Sequence, residues 1–324
     1  MRVLVTGGAG FIGANLLYLL ARNHPEDTLV TLDALTYAGH RESVRPLEDS
    51  GRLEFHHGDI RSRETVEPLV RAADAVVHLA AESHVDRSIA DAIPFLETNV
   101  LGTGVLLEAA RRADLKRFHL VSTDEVLGSL PLDRPDLKFT ATSPYDPRSP
   151  YAASKAGADH LARAYFHTYG LPVTLSNCSN NFGPYHHPEK LIPLAVTNLL
   201  RGRKVPVYGD GKNVRDWIHV EDHCSALDLI LRRGTPGETY LIGADQERTN
   251  NEVVRALLHI LGKGAEWIEY VPDRLGHDRR YAIDARLIRE TLGWRPRFEF
   301  EEALRQTVQW YSDHREWWMP LVRA

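Results

Sequence analysis

The sequence predicts an α/β protein, a doubly wound parallel sheet followed by a smaller mixed α/β region that binds the substrate. Three observations lead there. Six short apolar runs occupy the first 180 residues, with amphipathic stretches between most of them. A glycine-rich turn joins the first run to the first stretch, and after about residue 180 the rhythm changes. Continuous rather than alternating apolar runs suit strands covered on both faces. Repeated strand–helix alternation is the signature of a parallel sheet.

In chain order, the predicted strands are Arg2–Thr6, Thr28–Asp33, Leu53–His57, 75–79, 117–122 and 173–177, rich in Val, Leu and Phe and flanked by Gly, Asp or Asn. Apolar residues at helical spacing predict helices over 11–22, 63–72, 95–113 and 151–169. Beyond residue 180, prolines cluster at 184, 188, 193 and 206, followed by a helical pattern at 222–232 and a strand at 239–242. Helical patterns at 250–261, 285–292 and 301–312 close the chain. The expected division is a cofactor-binding unit over 1–178, with about 214–242 returning to it, and a substrate-binding unit over 179–324. The second unit is expected at the strands' C-terminal ends, where a doubly wound sheet leaves its crevice.

Composition excludes several function classes. With 324 residues, 43% hydrophobic and 26% charged, the chain can bury a core without covalent staples. Cys178 and Cys224 form no metal or redox spacing, and two thiols fit a reducing cytoplasm. No apolar run reaches the length of a membrane span, and the N-terminus lacks the pattern of a signal peptide. A net charge of −5 without blocks of like charge argues against a nucleic-acid surface. His219 and His223 are four apart, but Glu221 is misplaced for a His-Glu-x-x-His metal helix, so no metal is expected.

The chemistry begins at Thr6-Gly7-Gly8-Ala9-Gly10-Phe11-Ile12-Gly13, between the first strand and first helix. Glycines there let the backbone turn tightly and approach a pyrophosphate seated on the helix N-terminus, the Rossmann arrangement. Asp33 ends the next strand 20 residues after Gly13; its carboxylate can accept from a ribose diol and repels the extra phosphate of NADP. Asp59-Ile60 could bracket an adenine or simply form a turn. Ala80-Ala81-Glu82-Ser83 offers either close passage for a cofactor or ordinary helix–sheet packing. Tyr151 and Lys155 share one helix face, and an ammonium beside a phenol favours the phenolate. Tyr151 is thus expected to accept a proton from a sugar hydroxyl, with Thr123 sharing the network.

The glycine motif, His78-Leu-Ala-Ala-Glu-Ser-His-Val-Asp-Arg-Ser88 and Tyr151-Ala-Ala-Ser-Lys155 resemble the extended short-chain dehydrogenase/reductase family. Ser122-Thr-Asp-Glu-Val126 narrows the resemblance to the branch of 4,6-dehydratases acting on dTDP-glucose. Asp33–Gly39, Asn177–Asn181, Pro188–Pro193 and His277–Asp284 match that branch too, so the resemblance runs from residue 1 to beyond 310. It implies bound NAD and three catalytic residues in Thr123, Asp124 and Glu125, added to Tyr151 and Lys155. It implies that Gly7, Gly10, Phe11, Ile12, Gly13, Asp33, Thr36, Asp59, Ile60, Ala80, Ala81, Ser83, Thr98, Tyr151 and Lys155 hold the cofactor. Ser83, His84, Thr123, Asn180, Lys190, Leu191, Pro206, Tyr208, Arg215, Asn250, Asp273, His277 and Arg280 are then expected to hold the nucleotide-sugar.

Relatives also pair two helices with their copies as a four-helix bundle, which implies a homodimer here with Val105, Leu106, Leu161 and Ala164 outward. A 4-epimerase of the same fold would need Tyr151 and Lys155 but no acid–base pair. A non-catalytic NAD sensor would usually have lost one of the two. Leu127, Leu241, Ala244 and Leu275 stand where the branch commonly has Tyr, Asn, Gly and Pro. Leu127 is therefore expected to remove a hydroxyl near the catalytic loop.

Overall fold

The computed structural model describes residues 1–322. Its first half contains β1 (Arg2–Thr6), α1 (Phe11–Asn23), β2 (Thr28–Asp33), α2 (Arg45–Asp49), β3 (Leu53–His57), α3 (Arg63–Arg71), β4 (Ala75–His78), α4 (Val85–Ala90), α5 (Ile93–Phe95), α6 (Thr103–Arg112), β5 (Arg117–Thr123), α7 (Pro150–Tyr169) and β6 (Val173–Cys178). The second half adds β7 (Asn180–Phe182), α8 (Leu191–Leu200), β8 (Val205–Tyr208), β9 (Val214–His219), α9 (Val220–Arg233), β10 (Thr239–Ile242), β11 (Glu247–Thr249), α10 (Asn250–Ile260), β12 (Ile268–Val271), α11 (Arg286–Leu292), α12 (Phe300–Asp313) and α13 (Arg315–Trp318).

Seven parallel strands lie in the order β10-β6-β5-β4-β1-β2-β3. Strand side chains alternate between faces, and the two faces bury different helices. Val3, Val5, Leu29 and Val77 pack with Leu17 and Leu20 of α1, Leu227 and Ile230 of α9 and Ile288 of α11. Leu4, Val30, Val76 and Leu120 pack with Val66 of α3, Leu106 and Leu107 of α6 and Ala158 and Ala162 of α7. The order reverses between β1 and β4, and their C-terminal ends open the crevice.

The remaining elements form a three-stranded sheet, β11-β9-β7, and a pair, β12-β8. Around them α8, α10 and α12 bury Leu199, Leu257, Phe300 and Tyr311 with Phe182 and Trp217. The chain returns to the large sheet through α9, which packs on α1, and β10, which pairs with β6. Before it, β9 pairs with β7 and β11, while its Ile218 packs in the core of the large sheet.

Two local departures bear on the site and the surface. The helix expected over 95–113 is broken by a π-helical turn, Leu96–Gly102, between α5 and α6. Asn99 in that turn accepts from Glu82 N at 2.9 Å and donates to Glu82 O at 2.9 Å and Ser154 Oγ at 2.8 Å. A Cβ on Gly102 would meet the Ile60 side chain at 2.6 Å, so a glycine permits that approach. Leu106, expected outward, is wholly buried beneath the sheet-facing side of α6. No helix of the described residues is long and apolar enough to cross a membrane.

Candidate active site

One cavity of about 600 Å³ runs along the C-terminal ends of the large sheet and under the second half of the chain. Every residue expected to hold cofactor lines it, Gly7 through Lys155. Gly7 has φ +75, and a Cβ on it would stand 2.7 Å from the Ala80 backbone; this seats the glycine turn against the segment after β4. A Cβ on Gly13 would lie 2.2 Å from the Gly7 carbonyl oxygen. One on Gly10 would meet only that oxygen, at 3.3 Å, and would otherwise occupy the cavity wall at the start of α1. Gly10 caps α1 without a side chain, and the first turn carries no acid, so its backbone donors favour an anion.

Asp33, nearly buried, takes Ala9 N at 2.9 Å on one oxygen and Leu35 N at 2.8 Å on the other. Each oxygen retains capacity for a hydroxyl. A backbone anion cradle and a carboxylate acceptor across one cavity fit an adenine dinucleotide. Asp59 lines the same cavity, its carboxylate engaged by Arg61 Nε and NH2 at 3.0 and 2.7 Å.

The catalytic candidates come from two elements. β5 ends at Thr123 and turns into a short 3-10 segment, Asp124–Leu127. Thr123 Oγ1 caps it, accepting from Glu125 N at 3.2 Å, and lies 3.4 Å from Asp124 Oδ1. α7 supplies Tyr151 and Lys155; it is capped by Ser149, accepting from Ala152 N, and starts with Pro150.

Burial and the neighbouring Glu125 charge push the Asp124 carboxyl well up, and its Oδ2 has no hydrogen-bond partner among the described residues. Burial also raises Glu125, but Lys190 and Arg215 oppose it. The two acids are therefore separated, with Asp124 the stronger proton holder. Tyr151 departs from expectation: burial, then the charge of Glu125, pushes its phenol up. Lys155 Nζ donates to Val121 O at 2.8 Å, so its charge is shared with the β5 backbone.

At the other end the cavity is lined by Lys190, Leu191, Pro206, Tyr208, Arg215, Asn250 and His277, with Ser83, His84 and Asn180 nearer the centre. Lys190 Nζ donates to Ser83 O at 2.9 Å; Arg215 donates to Val214 O and Asp278 O at 2.8 and 2.9 Å and lies over the Tyr281 ring at 4.2 Å. Asn180 Oδ1 is buried without a partner among the described residues.

Two expected residues do not line the cavity. Arg280 is 3% exposed and spends its guanidinium on Glu247 and the carbonyls of Arg134, Pro135 and Leu137. Its backbone bridges Val214, which fixes the side chain on the far side. Asp273 instead holds His277, 2.6 Å from Nδ1. The arginine that lines the cavity is Arg274, paired with Asp86 through Nε at 2.5 Å and NH2 at 2.9 Å. Sequence reasoning missed both, although Asp86 lies inside a motif it quoted and Arg274 stands beside Leu275.

Leu127 ends the 3-10 segment that carries Asp124 and Glu125, close to the catalytic loop as expected. It packs with Leu241, Phe139, Ala156 and Ile283 in one apolar cluster behind the site and does not line the cavity. The two leucines that depart from the family pattern at 127 and 241 therefore share one cluster. Leu275 is 77% exposed.

Comparisons with known proteins match this fold over nearly the whole chain. Residues 4–307 match the GDP-mannose 4,6 dehydratase family. The dTDP-glucose 4,6-dehydratase of Mycobacterium tuberculosis is 53% identical over all of this chain and 97% of its own length. Among solved structures, DesIV, a dTDP-glucose 4,6-dehydratase from Streptomyces venezuelae with NAD and a dTDP ligand bound, superposes with TM-score 0.96. It is 52% identical, with 99% of this chain and all of that one covered. A Bacillus anthracis dTDP-glucose 4,6-dehydratase in complex with NAD gives TM-score 0.93 at 47% identity, over 99% of this chain and 100% of that one.

Proposed function

This chain belongs to the GDP-mannose 4,6-dehydratase family of extended short-chain dehydrogenase/reductases, and from that premise we infer that it converts dTDP-glucose to dTDP-4-keto-6-deoxyglucose and water. The observation that carries the reading is Asp124 beside Glu125 at the end of β5, in the cavity that also holds Tyr151 and Lys155. A 4-epimerase would leave that pair of acids without a task.

NAD⁺, when bound, accepts hydride from sugar C4, returns it to C6, and brings a positive charge into the cavity. The residues do the rest. Tyr151 takes the proton of the 4-hydroxyl, with the Lys155 charge favouring the phenolate. A ketone at C4 acidifies the C5 proton, which Glu125 removes. Asp124, the stronger proton holder of the two, gives its proton to the departing 6-hydroxyl, which leaves as water. Glu125 then returns its proton to C5. Thr123 fixes the turn that presents both acids. Lys190, Arg215 and Arg274 supply fixed positive charge suited to a diphosphate. Asp33 sets the preference for NAD over NADP.

The protein acts as a homodimer. Ile93, Leu96 and Leu101 are 59%, 45% and 64% exposed along the helix that ends in α6, and Val105, Leu161 and Tyr165 line the groove between α6 and α7. A second copy of the same face would cover them. The two cysteines are buried and free, in keeping with a reducing cytoplasm.

The test is incubation of purified protein with dTDP-glucose, UDP-glucose and GDP-mannose. A 4-keto-6-deoxy product absorbing in alkali from dTDP-glucose is expected. An epimerised sugar, or no product from any of the three, refutes the reading.

A further inference from the structure

Tyr151 and Lys155 are the first two members of a longer row. Asp159 and Arg163 follow at the same four-residue spacing, so one side of α7 carries phenol, ammonium, carboxylate and guanidinium in turn. Asp159 is 0% exposed. Its Oδ2 accepts from Ser122 Oγ at 2.9 Å, Tyr145 OH at 2.9 Å and Asn177 Nδ2 at 3.2 Å, while Oδ1 has no partner among the described residues. Tyr145 OH in turn accepts from Arg163 NH2 at 3.0 Å. Burial raises the Asp159 carboxyl, while the Lys155 charge and the three donors converging on one oxygen oppose that rise and favour the ionised form. The reaction proposed above gives this buried acid no role.

The groups facing Lys155 are few. Tyr151 and Asp159 share its helix, Val121 O accepts its proton from β5, Cys178 faces it from β6 and His78 from β4, and Asp124 and Glu125 lie on the cavity side. Burial holds the Cys178 thiol up at about 12 and His78 down at about 3, so both are neutral at working pH. On the interior side, Asp159 is therefore the anion that faces a buried ammonium. Burial works against the Lys155 charge, and the Asp159 carboxylate works for it.

We propose that Asp159 is a positioning residue of this site, a buried carboxylate that keeps Lys155 protonated so that Lys155 can support the phenolate of Tyr151. This rests on Tyr151 being the proton acceptor. Asp159→Asn keeps the shape and removes the charge. With the NAD-loaded enzyme and dTDP-glucose, the alkaline limb of kcat, where Lys155 loses its proton, moves down by at least about one pH unit. The rate near the old limb then falls about tenfold more than the rate at neutral pH. Asp159→Glu, which retains the charge, brings the limb back.

Tyr145→Phe removes one donor and leaves the carboxyl in place. The acid then holds its proton to higher pH, less of its charge faces Lys155, and the alkaline limb moves down by less than in Asp159→Asn. This second variant decides the matter if Asp159→Asn does not fold, which thermal melting of each variant reports. A loss by one constant factor at every pH, or limbs that stay put in both variants, overturns the proposal. An inactive parent on every nucleotide-sugar defeats the reaction instead, so the two failures are distinguishable.

Discussion

At one end of the cavity Gly7, Gly10, Gly13, Ala80 and Ala81 present backbone and missing side chains; at the other, Lys190, Arg215, Arg274 and His277 present long side chains from separate segments. The first end works by what is absent. A Cβ on Gly13 would collide with the Gly7 carbonyl, and one on Gly7 with Ala80. The second works by tethers: Lys190 to Ser83 O, Arg215 to two carbonyls, Arg274 to Asp86. A wall of backbone depends on spacing along the chain. A wall of side chains depends on where the fold brings distant segments, and no spacing rule encodes that.

Between the two ends lie the groups proposed to react, where the largest effects are expected. Tyr151→Phe should lower kcat by at least about 10²-fold, with no NADH absorbance on adding substrate. Glu125→Gln should still form NADH transiently but exchange the C5 proton poorly with deuterium. Asp124→Asn should let deuterium into C5 of recovered substrate while water loss slows. Normal C5 exchange in Glu125→Gln alongside blocked exchange in Asp124→Asn reverses the two roles.

The side-chain end can be split by two arginines. Arg274→Gln should raise KM by about 10–100-fold, the scale of a lost charge-assisted hydrogen bond, with the melting temperature nearly unchanged. Arg280→Gln should do the opposite, destabilising by about 2–4 kcal/mol because it strands Glu247 and three carbonyls, with KM unchanged. If Arg280→Gln raises KM in a protein of normal stability, the cavity boundary drawn above is wrong.

The backbone end should be the more brittle to a single methyl. Gly13→Ala should weaken cofactor retention by about tenfold or more, since overpacking costs about 1–3 kcal/mol. NAD retained at parental occupancy through gel filtration would show that the turn can relax.

A last expectation, read on the unsubstituted protein, is acid sensitivity of the large-sheet half. Burial holds His78, His119 and His223 down at about 3, against an ordinary value of 6.5. They are neutral when folded, whereas the unfolded chain takes up protons below pH 6.5. Stability is therefore full above that pH and falls between it and about 3, by roughly 1.4 kcal/mol per histidine per pH unit. Urea midpoints at successive pH values measure the slope. A flat profile down to about pH 5 would mean that these histidines are not buried neutral.

The large sheet was legible because both-face burial writes itself as continuous apolar runs, and the glycine turn because its spacing is set by local geometry. The interrupted helix was not. Leu96–Gly102 contains no proline, and its apolar periodicity continues through the turn; what widens it is the grip of Asn99 on Glu82 and Ser154, contacts made by tertiary structure. Arg274 and Arg280 sit six residues apart with equal chemical standing. Only the bridge between Arg280 and Val214, and the partners each guanidinium meets, separates a cavity residue from a structural one. Leu106 looked outward on a helical wheel because the widened turn before it shifts the phase of α6.

That wide turn gives seven residues two addresses. Thr98 lines the cavity, Asn99 points inward to the segment after β4, and Leu101 stands 64% exposed on the outside. An i→i+5 turn takes an extra residue, so the stretch before it and α6 after it are offset in rotation, like two dials on one shaft set to different hours. Removing a single residue would realign the dials. The chain would then have to choose which reading to keep, the inward grip on the cavity wall or the exposed apolar stripe proposed to meet a second copy. An insertion or deletion here would therefore be felt in two places at once, although no charge, no catalytic group and no strand had been touched.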